Sequence, residues 1–304
     1  MKHYTSMAGS LNLDDRLITP EAQQQAAAAL AQMDAQATRK YTPSGQGEMV
    51  WRCWGEGSPV VLLHGGGGAW SHWIRNIGPL AERHAVWVPD LPGLGESALP
   101  AELSIECIAQ TLEQGLRLLL PQDAALDLVG FSFGSSVASC LATRLPGRIR
   151  HLFLASTRFV VVPENAYPPL EDWKTAEDPL TRLAAHRRNL ELVMIADPAR
   201  VDALAVQVQS VNVPRGRFFG PKLKPNENLH RFLPQLRASG SITGVSGAAD
   251  QFAQSFLHRQ EAGLKAMHPA GTFHLLPGAG HWVQYEAADQ FNAILLNALS
   301  QDRS

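Results

Sequence analysis

The sequence predicts an α/β fold, in which helices flank a mostly parallel sheet and a helical segment is inserted between core strands. Strand-like apolar runs alternate with helix-like runs from about Met49 onward, which is typical of a parallel sheet with crossover helices. The alternation stops between about Val160 and Arg237, where helical, proline-interrupted and arginine-rich sequence replaces the strands. So long a stretch without structure is unusual in a compact domain, so we expect a helical cap over the carboxyl ends of the strands.

We therefore divide the 304 residues into an arm, a two-part core and a cap. The arm is 1–45, the core is 46–158 and 238–304, and the cap is 159–237. Within the arm, Thr19 and Pro20 predict the start of a helix that extends to about Ala37. Its function cannot be read from the sequence. A surface helix is favoured over an interface or lid element.

Residues 130–134, GFSFG, place Ser132 between two glycines, after the strand-like run 126–129 and before a helix-like run. This G-x-S-x-G pattern is typical of a nucleophile elbow, where the serine occupies a strained turn from strand to helix. Glycines are needed because side chains on either side would collide with the neighbouring helix and strand. The alternative is a glycine-rich turn with no catalytic role.

A serine hydroxyl needs a histidine as general base and an acid that orients this histidine. In chains with such an elbow, the acid follows the serine and the histidine follows the acid. His281 ends the loop 277–281, after the strand-like run 272–276, and is favoured over the other downstream histidines. Asp250 follows residues 241–249, which begin like a strand. The interval between Asp250 and His281 leaves room for a helix at about 252–266 and for the next strand. The alternative for Asp250 is a helix N-cap.

Donors for an oxyanion are predicted in the glycine loop 64–68, HGGGG, which follows the apolar strand 59–63. Backbone N–H groups of Gly66 or Gly67 would act together with that of Phe133, the residue after the nucleophile. A phosphate-binding loop is disfavoured because no Lys-Ser or Lys-Thr pair follows the glycines.

The composition is that of an ordinary globular protein, with 45% hydrophobic and 18% charged residues. A net charge of −2 gives no basic surface for nucleic acid. The absence of a long apolar run and of an apolar leader predicts a cytoplasmic protein without membrane contact. Cys53, Cys107 and Cys140 are odd in number and widely spaced, which indicates neither disulfides nor a metal site. We expect a small-molecule substrate and neither a cofactor nor a metal. The sequence does not determine the oligomeric state, and it allows a homo-oligomer.

With the elbow, the glycine loop, Asp250, His281 and residues 90–97, DLPGLGES, the chain resembles the α/β-hydrolase superfamily from about Val50 to its end, outside the cap. Within it, residues 280–292, GHWVQYEAADQFN, and 73–77, WIRNI, resemble the meta-cleavage-product hydrolases. That branch splits carbon–carbon bonds in ring-opened aromatics. Part of the likeness near residues 291–298 also fits plain helical core spacing.

The resemblance implies that three polar side chains hold an anionic dienoate substrate. This chain lacks those side chains at the matching positions. Where that branch has two asparagines and a cap arginine, this chain has His72, Phe131 and Val208; Arg215 or Arg217 could replace the arginine. Because an unpaired buried carboxylate is costly, we expect a more apolar pocket. The candidates for its wall are Trp70, His72, Trp73, Phe131, Phe133 and Trp282.

The sequence therefore predicts a serine hydrolase that cleaves a small, largely apolar carboxylic ester with Ser132, His281 and Asp250. Hydrolysis of a carbon–carbon bond in a diketone-like or ring-cleavage product is the alternative. A non-catalytic ligand receptor on the same fold is a third interpretation. Epoxide hydrolases and haloalkane dehalogenases are disfavoured because both need an aspartate where Ser132 stands.

Overall fold

The computed structural model describes residues 19–160, 168–218, 223, 225–236 and 240–300. An eight-stranded sheet in the order β1-β2-β4-β3-β5-β6-β7-β8 forms its centre. The strands are β1 (Thr38–Ser44), β2 (Gly47–Trp54), β3 (Ser58–Leu63), β4 (His84–Pro89), β5 (Leu126–Phe131), β6 (Ile149–Ala155), β7 (Ser241–Gly247) and β8 (Thr272–Leu276). Only the pairs β1–β2 and β2–β4 are antiparallel, which confirms the predicted mostly parallel sheet.

Helices cover both faces of the sheet, as the alternating sequence predicts. The helices of the described residues are α1 (Pro20–Ala35), α2 (Ile77–Ala81), α3 (Ile105–Leu119), α4 (Phe133–Arg144), α5 (Pro179–Val193), α6 (Ala203–Asn212), α7 (Pro225–Phe232), α8 (Gln260–Met267), α9 (Val283–Glu286) and α10 (Ala288–Ser300). Strand β3 shows why both faces are apolar. Val61 and Leu63 join the core beneath α3 and α4, whereas Val60 and Leu62 join the core beneath α2 and α10.

Between β6 and β7 the described residues form helices and short 3₁₀ turns and no strand. We call residues 159–237 the cap segment. The carboxylates of Asp178 and Asp202 accept backbone N–H groups at the starts of α5 and α6, which explains where these helices begin. At the far end of α6, Asn212 hydrogen-bonds the Ser71 hydroxyl in the loop after β3. The end of α6 thus lies over the loop after β3, at the carboxyl end of the sheet.

Helix α1 begins where predicted, with Thr19 as its N-cap, and ends two residues early. It packs against α6 of the cap segment and buries Ala26, while most of its other residues stay exposed or half-buried. Its last turn is fixed to the core, because Asp34 accepts a hydrogen bond of 2.6 Å from Arg52 and the Met33 carbonyl accepts the indole N–H of Trp54. Among the described residues, no helix combines the length and apolarity needed to cross a membrane.

Candidate active site

Ser132 forms the turn between β5 and α4 in a left-handed backbone conformation, with φ of 51° and ψ of −115°. Only glycine fits sterically at the positions on either side of this turn, 130 and 134. A Cβ added at Gly130 would lie 2.6 Å from the carbonyl oxygen of Gly134, and one at Gly134 would lie 2.3 Å from that of Leu63. Ser132 N–H donates to the Ala155 carbonyl at 2.9 Å, which ties this strained turn to β6.

Ser132, His281 and Asp250 form one hydrogen-bonded line. His281 Nδ1 lies 2.8 Å from Asp250 Oδ2, and its Nε2 lies 2.9 Å from Ser132 Oγ. Asp250 is 2% exposed, and its other oxygen accepts the backbone N–H of Phe252 at 2.9 Å. Because an ionised carboxylate only accepts hydrogen bonds, Nδ1 carries the proton and Nε2 is free to accept the serine O–H.

The glycine loop lies beside the nucleophile. A Cβ added at Gly66 would lie 3.7 Å from Cβ of Phe133, whereas one at Gly67, whose φ is +65°, would meet nothing within 4 Å. Buried His64 anchors the loop, because its Nε2 accepts the Leu91 N–H at 2.9 Å and its Nδ1 lies 2.8 Å from the Gly65 carbonyl. Burial lowers the pKa of His64, consistent with a neutral ring that donates from Nδ1. The loop is thus fixed at its base and open above Gly67.

One wall beside the triad is aromatic and uncharged. The ring of Phe131 lies 5.4 Å from that of His281 and 5.6 Å from that of His72, which in turn lies 5.1 Å from Trp282. The indole N–H of Trp282 donates to the His72 carbonyl at 3.0 Å. We call His72, Phe131 and Trp282 the binding wall, because the sequence predicts all three as lining of the substrate pocket.

His72 is 2% exposed, and its Nδ1 has no hydrogen-bond partner among the described residues. Burial lowers the pKa of this imidazole well below its usual value, and the nearby His64 and His281 lower it further. Its ring also fills the space next to the glycine loop, because a Cβ added at Gly68 would lie 2.1 Å from His72 Cε1. His72 therefore presents a neutral ring to the site.

Three further candidates for the wall have different surroundings. The ring of Trp70 lies 5.5 Å from that of Trp54 and 5.1 Å from the guanidinium of Arg52, so its described ring contacts are core packing. Phe133 lies 6.0 Å from Phe218 of the cap segment. Trp73 is fully buried and packs between Phe131 and Phe291.

The arginines considered as substitutes for a cap anchor are already engaged elsewhere. Arg215 lies 3.7 Å from Glu96, and the guanidinium of Arg217 donates to the carbonyl of Ser97. Val208 is fully buried on α6. The described contacts thus place neither arginine at the binding wall. Glu164, the next acid to consider had Asp250 been unsuitable, lies outside the described residues.

A site residue that the sequence analysis did not single out is Glu286. Its buried carboxylate joins the loop of His281 to the cap segment through backbone N–H groups. The sequence contains one indication of a role for Glu286, because it lies within residues 280–292, where the likeness to known hydrolases is concentrated. In the described part of the chain, no group of three or more His, Cys, Asp or Glu side chains is arranged to hold a metal ion.

A depression of about 430 Å³ lies at the amino ends of β7 and β8, on the side of the sheet away from the carboxyl ends of the strands. Ser241, Thr243, Thr272 and His274 contribute to its lining. It contains none of the predicted site residues, all of which follow the carboxyl ends of their strands.

A serine on a strand-to-helix elbow, a histidine after the last strand and a mostly parallel sheet define the serine hydrolases of the α/β class. Comparison with known proteins agrees: residues 60–294 match the model of the alpha/beta hydrolase family. The chain belongs to this family and is a hydrolase of the serine type.

Characterised relatives share most of its length. The chain is 30% identical over 264 residues to 2-hydroxy-6-oxo-6-phenylhexa-2,4-dienoate hydrolase of Burkholderia cepacia, covering 81% of this chain and 89% of the relative. It is 28% identical over 261 residues to 2-hydroxymuconate semialdehyde hydrolase of Pseudomonas putida, with the same coverage. These matches confirm the resemblance to the meta-cleavage-product branch.

Solved structures show the same architecture. A meta-cleavage product hydrolase superimposes with a TM-score of 0.69 at 22% identity, covering 86% of this chain and 98% of that one. An epoxide hydrolase superimposes with a TM-score of 0.65 at 19% identity, covering 88% of this chain and all of the other. Likeness at such identities establishes the fold alone.

Proposed function

We propose that the chain hydrolyses a carbon–carbon bond next to a ketone in a neutral, largely apolar, diketone-like substrate. The hydrogen-bonded line from Ser132 through His281 to Asp250 is the observation that carries the chemistry. The relatives that act on ring-cleavage products favour a carbon–carbon bond over an ester, which was the first expectation from the sequence. The uncharged binding wall favours a neutral substrate over an anionic one.

In this proposal, Ser132 Oγ adds to the ketone carbon while His281 Nε2 takes its proton. Backbone N–H groups of Gly66 or Gly67 and of Phe133 stabilise the resulting oxyanion. The carbon–carbon bond breaks as His281 returns the proton to the departing carbon, which leaves as a methyl ketone. Water then attacks the acyl-serine while His281 takes its proton, and return of that proton to Ser132 Oγ releases the carboxylic acid.

The substrate preference follows from solvation. A carboxylate against Phe131 and neutral His72 would lose its hydration without gaining a charged partner. A neutral acyl group would gain about 25 cal/mol per Å² of apolar surface buried there. The replacement of expected polar anchors by the binding wall thus selects against the acid group of a dienoate.

Parallel assays on one preparation test this proposal. The substrates are the phenyl dienoate of the Burkholderia relative, the neutral diketone benzoylacetone, and p-nitrophenyl butyrate. We expect a higher kcat/KM for benzoylacetone than for the dienoate, and loss of both activities in Ser132→Ala. A preference for the dienoate would contradict the neutral-substrate proposal while keeping the carbon–carbon reaction.

Ester cleavage is the second candidate, because the same wall accepts a neutral ester and an alkoxide leaves more readily than a carbanion. Turnover of the butyrate with no cleavage of either ketone would select it. A protein that binds these compounds without turnover, and whose Ser132 resists a fluorophosphonate, would be a ligand receptor.

A further inference from the structure

The carboxylate of Glu286, at the end of α9, is 5% exposed and is bound by three peptide N–H groups. Its Oε2 accepts from Gly280 at 2.7 Å and from Ala196 at 3.0 Å. Its Oε1 accepts from Asp197 at 2.9 Å. Hydrogen bonds to an ionised acceptor are short and strong, and removing the acceptor leaves buried donors unsatisfied.

These donors come from two places that matter for the reaction. Gly280 directly precedes His281, whereas Ala196 and Asp197 belong to the cap segment between α5 and α6. On the other side of His281, the N–H of Trp282 donates to the Met194 carbonyl at 2.7 Å. The backbones also approach closely, since a Cβ added at Gly280 would lie 2.7 Å from the nitrogen of Ala196. Both neighbours of His281 are therefore held against the cap segment.

We propose that Glu286 is a positioning residue for His281, and that it makes the position of His281 depend on the docking of cap residues 194–197. The carboxylate fixes Gly280, and through it the placement of Nε2 at Ser132. Misplacing a reacting group by about 1 Å can cost about 100-fold in rate. This inference rests on the proposed role of His281 as the base.

The test compares Glu286→Gln with Asp202→Asn. Glutamine keeps the shape but directs an NH₂ group at a peptide N–H, so at least one of the three bonds is lost. Asp202 is the matched control, because it also ties the cap segment to the core, through Arg75 and the hydroxyl of Tyr285, but bonds no residue of the His281 loop. Four quantities are measured: the rate at which a fluorophosphonate labels Ser132, the kcat for p-nitrophenyl butyrate, its KM, and the downfield proton resonance of His281 Nδ1–H.

We expect Glu286→Gln to lower kcat and the labelling rate about 10- to 100-fold, with a small change in KM and a shifted or broadened Nδ1–H resonance. Asp202→Asn should change KM but leave the labelling rate and the resonance as in the wild type. Glu286→Asp, which keeps the charge but shortens the reach, should recover part of the loss and serves if the glutamine variant does not fold.

Wild-type labelling and an unchanged resonance in the folded Glu286 variant would overturn the inference. An equal loss in Asp202→Asn would also overturn it, because any loosening of the cap would then suffice. If wild-type Ser132 is not labelled, or if His281→Ala labels as fast as the wild type, the proposed triad itself fails. That outcome is distinct from a failure at Glu286 alone.

Discussion

The two sides of the active site differ in how their polar groups are satisfied. On the side of Ser132, His281 and Asp250, each functional side chain has a partner within 2.9 Å. On the binding wall, His72 Nδ1 has no partner among the described residues, and Phe131 offers only hydrocarbon. In the proposed function the two sides are separable: the triad breaks the bond and the binding wall sets the substrate preference, so variants can test each side alone.

The largest effect is expected from Ser132→Ala, which tests the catalytic side alone. Removing the nucleophile of a triad typically costs about 10⁴- to 10⁶-fold in kcat. The fold should persist, because alanine keeps the backbone and loses one hydroxyl. Steady-state assays with circular dichroism as the folding control check this, and near-wild-type turnover in the folded variant would rule out serine chemistry.

Asp250→Asn is expected to cost about 10³- to 10⁴-fold in kcat with little effect on KM. The amide cannot hold His281 in the tautomer that leaves Nε2 free, whereas the shape of the side chain is retained. The pH profile of kcat is the accompanying measurement. A fully active variant would show that His281 is oriented by another acid.

The double variant His72→Asn/Phe131→Asn tests the binding wall. Two amides in place of the imidazole and the phenyl ring should raise kcat/KM for the phenyl dienoate relative to benzoylacetone by about 10-fold, which corresponds to about 1.4 kcal/mol. Phe131→Leu is the apolar control and should leave this ratio near the wild-type value. If the control moves the ratio as far as the double variant, volume rather than polarity determines the preference.

A smaller effect concerns pH and stability. The folded-state pKa of His72 is lowered, so unfolding takes up a proton when the pH falls below the unfolded value of about 6.5. The stability linked to His72 is therefore present above pH 6.5 and is lost as the pH falls. His72→Asn should lose less stability than the wild type between pH 7 and 5, by at most about 1.4 kcal/mol per pH unit. Urea unfolding at both pH values measures it.

The sequence predicted the parts of the site that depend on local geometry. Only glycine fits at 130 and 134, so the elbow at Ser132 is visible in five consecutive letters. Strand β8 and the helical region before it lie at almost the predicted residues, because apolar spacing marks both. The spacing thus placed Asp250 and His281 at strand ends that meet at one edge of the sheet.

Contacts between distant side chains and backbone could not be predicted in this way. Glu286 binds residues about 90 positions away, and no local periodicity marks a carboxylate for peptide N–H groups of another segment. The packing of α1 on α6 was missed for a similar reason. The alanine-rich sequence of α1 resembles that of a surface helix. The attachment of α1 through Asp34 becomes visible only in the structure, where Arg52 lies beside this carboxylate.

The close approach of Gly68 and His72 couples the substitutions that are possible at these two positions. Since the imidazole occupies the volume that any side chain at 68 would need, the two positions are not free to change independently. A substitution at 68 requires the ring at 72 to move or to be replaced by a smaller group. The reverse order, a change at 72 first, passes through no clash. Libraries built to alter substrate choice should therefore vary position 72 before position 68.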